Sequence, residues 1–559
     1  MNYSSRRAGF SFVIPFLVIL FFALPDSSHS QGTYTPVTDL VYEFLDKMHI
    51  KGVTDYTKLV LPKTRKEIAG YLAQIDSARS RLTSVEREEL DRYRLDYLRE
   101  EEILSTSIKP RIPSQNEVDT EGFHILKYRD SRFKLAVYPI AGIQVESRYD
   151  DLHTIRWQGI SAYGSFGGSF WAQSDFRDYV ETGSHLDTYR DFTRLPAIIP
   201  LGDASGSTVK YGEVKGAVTY ETSWLSLSVG REWFNWGSGY SSQLILSRKA
   251  PPFPYLRIDF KPTTWFHFYY LHGWLASGVE DSLASYQTQV PGRTRIVDRS
   301  KYFATHMLEV KPLDGFSVSL GESVVYSDQG PLLGYLIPVL FFRTVDQTTY
   351  DRNLPGRGSN SQVFFDLDVR LRDGIDCYGT WFIDEIDLAK IFDWPNNRNE
   401  FGITVGAATQ DFLLDNLTMR FEYTRILPWV YSNFIQTQNY TNSGTIMGDY
   451  IGQNADQMFL QSEYKVAKGL GLKLWAERTR RGGMDSVNYQ YQPEAKPFLY
   501  GPKRVDSAFG FELSYEFFLN FLLRADYEYR QVSDEDASRT PLYERGAHQA
   551  FGCSIYYYL

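Results

Sequence analysis

Alternation of apolar and polar residues, sustained over most of the chain, constrains the fold more than any other feature. Over 417–425 the odd positions Leu417, Met419, Phe421 and Tyr423 are apolar, while Thr418, Arg420, Glu422 and Thr424 are polar. Val363, Phe365, Leu367, Val369 and Leu371 alternate likewise with Gln362, Asp366, Asp368, Arg370 and Arg372, and only Phe364 breaks the polar set. The period continues through Phe509, Phe511, Leu513 and Tyr515, and through Phe521, Leu523, Tyr527 and Tyr529. Because successive side chains of a strand point to opposite faces, each segment reads as a strand with one apolar face. From Phe133 onward the chain is expected to be all β.

Alternation suits a soluble sandwich, with apolar faces turned inward, as well as a barrel with its apolar face turned out to lipid. Connection lengths separate the two. Short turns at 166–168, 221–222, 262–263, 312–314, 372–374, 411–415, 467–469 and 517–519 take turns with long segments such as 180–208, 233–254, 275–301, 327–361, 427–456, 480–506 and 532–547. Outer-membrane barrels have tight turns at one end and long loops at the other. Eight short turns and nine opposite connections predict roughly 18 antiparallel strands, an even number that returns both barrel ends to one side. Composition agrees, since 40 Tyr, 37 Phe and 11 Trp make the chain 16% aromatic while the mean hydropathy is only -0.34. The last strand, with Phe551, Cys553, Ile555, Tyr557 and Leu559 on one face, is the amphipathic terminal element that barrel-assembly machinery reads, although Leu559 replaces the usual terminal aromatic.

The first 132 residues follow other rules. Arg6 and Arg7, the apolar run 10–24 and Ser28-His29-Ser30 form a signal-peptide pattern over 1–30. Residues 31–104 have helical spacing in Val37, Leu40, Val41, Phe44, Leu45 and Met48, with Gly52 as a stop. Two capping boxes, Thr64-Arg65-Lys66-Glu67 and Thr83-Ser84-Val85-Glu86, each open a further helix. A small three-helix periplasmic domain that folds without the barrel is expected, then a linker over 105–132 with Pro110 and Pro113, then the barrel over 133–559.

Several function classes are disfavoured. A net charge of -9 and an isoelectric point near 5.6 argue against a nucleic-acid partner. Cys377 and Cys553 suit neither a disulfide framework nor a Cys-type zinc site. Neither a nucleophile elbow nor HExxH nor a phosphate loop occurs, so no enzyme is expected. An outer-membrane lipase would need a Ser paired with His267, His272 or His306 across neighbouring strands. Asp366, Asp368 and Asp384 suggest a metal, but lumen counter-charges such as Arg370 account for them more simply, so no metal or cofactor is assigned.

One stretch carries a resemblance. Val229-Gly230-Arg231-Glu232-Trp233-Phe234-Asn235-Trp236-Gly237-Ser238-Gly239 runs through Ser242-Gln243-Leu244-Ile245-Leu246-Ser247 to Ala250-Pro251-Pro252-Phe253. It resembles the signature of the Wzi capsule-assembly family, as do residues 44–65, residues 308–326 with Leu320-Gly321-Glu322, and Ile451-Gly452-Gln453-Asn454-Ala455-Asp456. The resemblance implies an outer-membrane barrel with periplasmic helices that holds capsular polysaccharide at the cell surface as a lectin.

Sugars present ring faces and hydroxyls, so their binders combine flat aromatic surfaces with planar polar groups. Trp233, Trp236 and Tyr240 are candidates to stack on rings, and Arg231, Asn235 and Gln243 to bind hydroxyls or uronate carboxylates. The alternative is that this stretch folds into the lumen and narrows it, with Gly237 and Gly239 allowing tight turns. Expected partners are extracellular polysaccharide, outer-membrane lipid and the barrel-assembly machinery, for a monomer. The competing reading is a porin or transporter, since about eighteen strands can enclose an aqueous channel.

Overall fold

The computed structural model describes residues 32–98, 124–129, 132–202, 206–349, 358–385, 399–485, 487–490, 496–518 and 520–557. The signal-peptide pattern and most of the stretch read as a linker lie outside the described residues. An antiparallel sheet of 18 strands, from Phe133–Arg148 to Gly546–Tyr557, closes into a barrel when the last strand pairs with the first. Leu126–Arg129, inside the expected linker, forms a short extra strand beside residues 134–137.

The barrel is inside-out relative to a soluble protein. Arg420 and Glu422 are each 1% exposed, whereas Phe421 between them is 49% exposed. Val405, Met458 and Leu460 on the paired strands face outward with Phe421. Only an apolar solvent makes this arrangement favourable, and closure leaves no strand edge with unpaired backbone groups in it. One connection departs from the expected alternation of lengths: Tyr149 and Asp150 form a two-residue turn at the loop end, with φ of 52° and 57°. Both residues at positive φ match the twist of a tight hairpin.

Helices α1 (Val41–Ile50), α2 (Arg65–Ser77) and α3 (Ser84–Leu98) precede the barrel. Both capping boxes form: Glu67 N donates to Thr64 Oγ1 at 3.3 Å, and Glu86 N donates to Thr83 Oγ1 at 3.2 Å. Leu45, Met48, Ile68, Leu72, Ile75 and Leu90 make a core shared by the three helices. Their charged residues, however, are matched to the wall. Asp46 meets Arg420 at 2.9 Å, Lys47 meets Glu463 at 2.6 Å, and Arg92 meets Glu516 at 2.5 Å. Gly374 N, in a short turn, donates to the carbonyl of Ile50 at 2.7 Å. The helices therefore plug the turn end of the barrel, and folding apart from it, as the caps alone suggested, would leave these buried charges unpaired.

Asp46 shows how tightly the two parts are coupled. Burial by itself raises a carboxyl, but Lys58 and Arg420 outweigh it and hold Asp46 at about 2.

Candidate functional site

The motif stretch lies inside the barrel. The flanking strands Leu225–Glu232 and Phe253–Phe260 are only 8 residues each, and the chain between them turns into the lumen. Gly237 adopts φ 115° there, and a Cβ on Gly239 would collide with the carbonyl oxygen of Ser242. From the opposite end, Leu59-Val60-Leu61 reaches up to meet it. Val60 pairs with Trp236 and Leu61 with Asn235, and Gly237 N donates to Leu59 O at 2.9 Å. The plug helices and the motif are thus joined by backbone hydrogen bonds in mid-lumen.

The six candidate residues have different fates. Trp236 is fully buried, bridged to Leu246 and packed edge-on to Tyr269. It is a core residue closed to any sugar, which corrects the stacking role expected for it. Trp233 is half-buried, with its Nε1 donating to Ala250 O at 2.9 Å and the Lys215 ammonium 5.0 Å from its ring centre. Tyr240 is held on three sides: its N donates to Glu422 at 2.6 Å, its hydroxyl accepts from Gln461 at 3.0 Å, and the Arg420 guanidinium lies over its ring at 4.3 Å. Gln243 donates its backbone N to Asp449 at 3.1 Å. Arg231 and Asn235 are half-buried. Trp236 is packed in the lumen, as the alternative reading of the glycines expected, whereas Arg231 shares the outward strand face of Val229, which is 59% exposed.

Long loops cap the motif. Within 427–454, the Tyr440 hydroxyl donates to Ile245 O at 2.8 Å and Asn442 Nδ2 to Pro251 O at 2.9 Å. Arg194 donates to Ser241 O at 2.6 Å and reaches Glu477 at 2.7 Å. Lys249, which burial pushes down to about 8, donates to the carbonyls of Arg190 and Leu195. One apolar cluster then runs from Leu59 and Val60 through Trp236, Leu244 and Ile245 to Tyr431 and Met447, and on to Phe303, Phe364 and Phe382 of the wall. Phe364, the residue that breaks the alternation, is the wall's contribution where the plug crosses.

The resemblance segment 451–456 serves the same closure. Gln453 accepts from Trp429 N at 2.6 Å, and Asn454 accepts from Leu499 N at 2.7 Å, which joins the 427–454 loop to the next one. His267, His272 and His306 are partnered by Glu309, Tyr326 and Glu322, and among the described residues none of them is bonded to a serine.

What remains open to solvent at the loop end is an aromatic rim that the sequence analysis missed. The ring of His185 stacks on Tyr543 at 4.2 Å and 20°, and Tyr149 sets its edge against Tyr543 at 5.2 Å and against His548 at 5.0 Å. All four are half-buried, and Tyr189 beside them is 80% exposed. Three separate segments supply these rings, so no local spacing announces them. Trp429 and Tyr500 stack elsewhere on the same end at 6.2 Å, with Lys496 5.6 Å from the Tyr500 ring centre.

The family described as "Capsule assembly protein Wzi" matches residues 158–542. No curated protein matches the chain in sequence. The solved structure of Wzi from Escherichia coli, described as an outer-membrane protein involved in group 1 capsule assembly and a carbohydrate-binding β-barrel, is similar with a TM-score of 0.57 at 12% identity, covering 94% of this chain and 100% of that one. At that identity the likeness speaks for the fold alone. OprD of Pseudomonas aeruginosa (TM-score 0.40, 13% identity, 76% of this chain and 94% of that one) and OccAB2 of Acinetobacter baumannii (0.42, 10%, 76% and 98%) are similar at lower TM-scores.

Proposed function

Because the chain belongs to the capsule assembly protein Wzi family, we propose that it is an outer-membrane barrel that binds exported polysaccharide and anchors it at the cell surface. The turn end with its helices faces the periplasm, and the loop end faces the medium. The observation that carries this reading is the closed lumen beneath an aromatic rim. A protein that holds a polymer needs a rigid platform and no passage, whereas a porin needs a water-filled path where Leu59, Val60, Trp236 and Ile245 are packed. The chain acts as a binder and not as an enzyme.

The sugar-contacting surface is placed at the rim, on Tyr149, His185, Tyr543 and His548. Flat rings supply the ring-stacking surface, and Arg148, Asp187 and Glu544 in the same segments supply polar contacts for hydroxyls. Trp233, Tyr240 and Gln243 of the motif hold the platform from below. Each ring contact is worth only on the order of 1 kcal/mol, but contacts repeated along one polymer reinforce one another because each later engagement is effectively intramolecular.

Cells lacking the protein should synthesise polysaccharide normally and shed more of it into the medium. Tyr543→Ala with His185→Ala should reproduce much of that shedding while the barrel keeps its heat-modifiable mobility on electrophoresis. Full retention of polymer in the deletion strain, with no related gene present, would refute the reading.

A further inference from the structure

Where α1 meets the wall near the turn end, a buried carboxyl lacks a close hydrogen-bond partner. Asp376, the second residue of the strand Ile375–Glu385, is 1% exposed, and neither of its carboxylate oxygens accepts a hydrogen bond among the described residues. A buried carboxylate in that state is costly, so something positive is expected to meet it. The nitrogen that faces it is His49 Nε2 of α1, 3.8 Å from Asp376 Oδ1 and 3.2 Å from Asp368 Oδ1 on the adjacent strand. All three residues are buried, and their ligand atoms lie within 4.8 Å of one another.

The neighbouring cations make their closest contacts elsewhere, and Lys58 acts on Asp368 and Asp376 only through space. Arg370, which the sequence offered as counter-charge, donates to the His49 carbonyl at 3.2 Å and pairs with Asp314 at 3.0 Å. Lys58 pairs with Asp46 at 3.4 Å and lies over the Tyr378 ring at 3.9 Å. The acidic group singled out in the sequence is also dispersed by the fold: Asp366 is satisfied by Ser238 and Thr380, and Asp384 by Gln362 and the backbone of Tyr431. Asp368 alone of those three joins His49.

Ligand atoms held about 2.0 to 2.2 Å from one tetrahedral ion stand roughly 3.4 Å apart, which the two nitrogen–oxygen separations bracket. A cavity of about 200 Å³ at the turn end is lined by His49 and Asp368 together with Asp55 and Lys311. It gives an ion a way in, and a water room for a fourth position. We propose that His49, Asp368 and Asp376 bind one first-row divalent ion of the zinc type, which ties the plug helix to the barrel wall. An imidazole nitrogen with two carboxylates suits such an ion better than Ca²⁺ or Mg²⁺, which prefer all-oxygen shells. Asp368 was set aside as a metal ligand in favour of lumen counter-charge, and the histidine that joins it lies more than 300 positions from either aspartate.

The test uses the full-length protein in detergent, stripped with EDTA and dialysed, then titrated with Zn²⁺ by calorimetry and with Co²⁺ by visible absorption. The expected result is one ion per chain with micromolar or tighter Kd, a tetrahedral Co²⁺ band that Zn²⁺ displaces, and a higher temperature for loss of the compact electrophoretic form. Asp376→Asn and His49→Gln should each weaken binding at least tenfold. Absence of stoichiometric binding by the unaltered protein overturns the proposal whatever the variants do. So does binding of undiminished affinity in a variant that still shows the compact form, since the ion would then sit elsewhere.

Discussion

The wall of the barrel and the plug inside it solve opposite problems with the same residue types. In the wall, apolar side chains such as Phe421 and Met458 are the exposed ones, and charged side chains such as Arg420 and Glu463 are buried. In the plug, Leu45, Ile68 and Leu72 are buried in the usual way, and the outer charges Asp46, Lys47 and Arg92 are buried as well, against the wall. The difference lies in the solvent. Lipid rewards the wall for facing apolar groups outward, and the polar surface left inside has to be met by water or by complementary charge. Here charge meets it: Asp46, Lys47 and Arg92 of the helices pair with Arg420, Glu463 and Glu516 of three different strands. The plug acts as the counterpart of the lumen.

The strongest way to break that comparison is to remove one side of it. Deleting residues 32–98 should take away the partners of several wall charges and let water into the lumen, so that the wall loses the pairing and packing the helices supply. The compact form should be lost at a much lower temperature, and single-channel recordings should show large steady openings that the intact protein lacks. A truncated barrel with unchanged thermal stability and no conductance would show that the helices do not fill the lumen.

Trp236→Ala tests the joint between loop and plug. A fully buried tryptophan at the centre of a packed core should cost about 3–5 kcal/mol on truncation, whereas the half-buried Trp233 should cost clearly less. Thermal scans of heat-modifiability would rank the two. If Trp233→Ala proves the more damaging, the meeting of Val60 with Trp236 is not what holds the lumen closed.

Phe421→Arg asks which solvent the wall faces. An arginine on the lipid side near mid-membrane should cost about 2–4 kcal/mol, although on a water-exposed surface the same change would be nearly neutral. Assembly yield in vesicles, compared with that of Phe421→Leu, measures it.

The mildest test is acid. Asp46 is held at about 2 in the folded protein against its ordinary 3.8. Its ion pairs with Lys58 and Arg420 therefore contribute stability that is fully present above pH 4 and is lost as pH falls from about 4 to about 2. The size is about 2 kcal/mol. Asp46→Asn should abolish that part of the pH dependence and leave a lower, flatter stability across the same window. An Asn variant with the same acid profile as the unaltered protein would remove Asp46 from the coupling of plug to wall.

Much of this molecule was legible in one dimension because the governing physics is periodic. Period two in 417–425 and 363–371 determined which side chains face which way, turn chemistry at 167–168 and 373–374 determined where strands reverse, and Thr64 with Glu67 determined where α2 begins. Each of these depends on residues a few positions apart. The tertiary structure decided what occupies the lumen, which rings share the rim, and which charges meet, because those partners lie far apart in sequence. Trp236 reads as a sugar platform until Val60 is found paired with it. Phe364 looks like a lapse in the pattern until the plug gives it a neighbour. His185 and Tyr543 carry no common signal, and neither do His49 and Asp376. Local periodicity sets the orientation of a side chain, but its role depends on what closure of the barrel places in front of it.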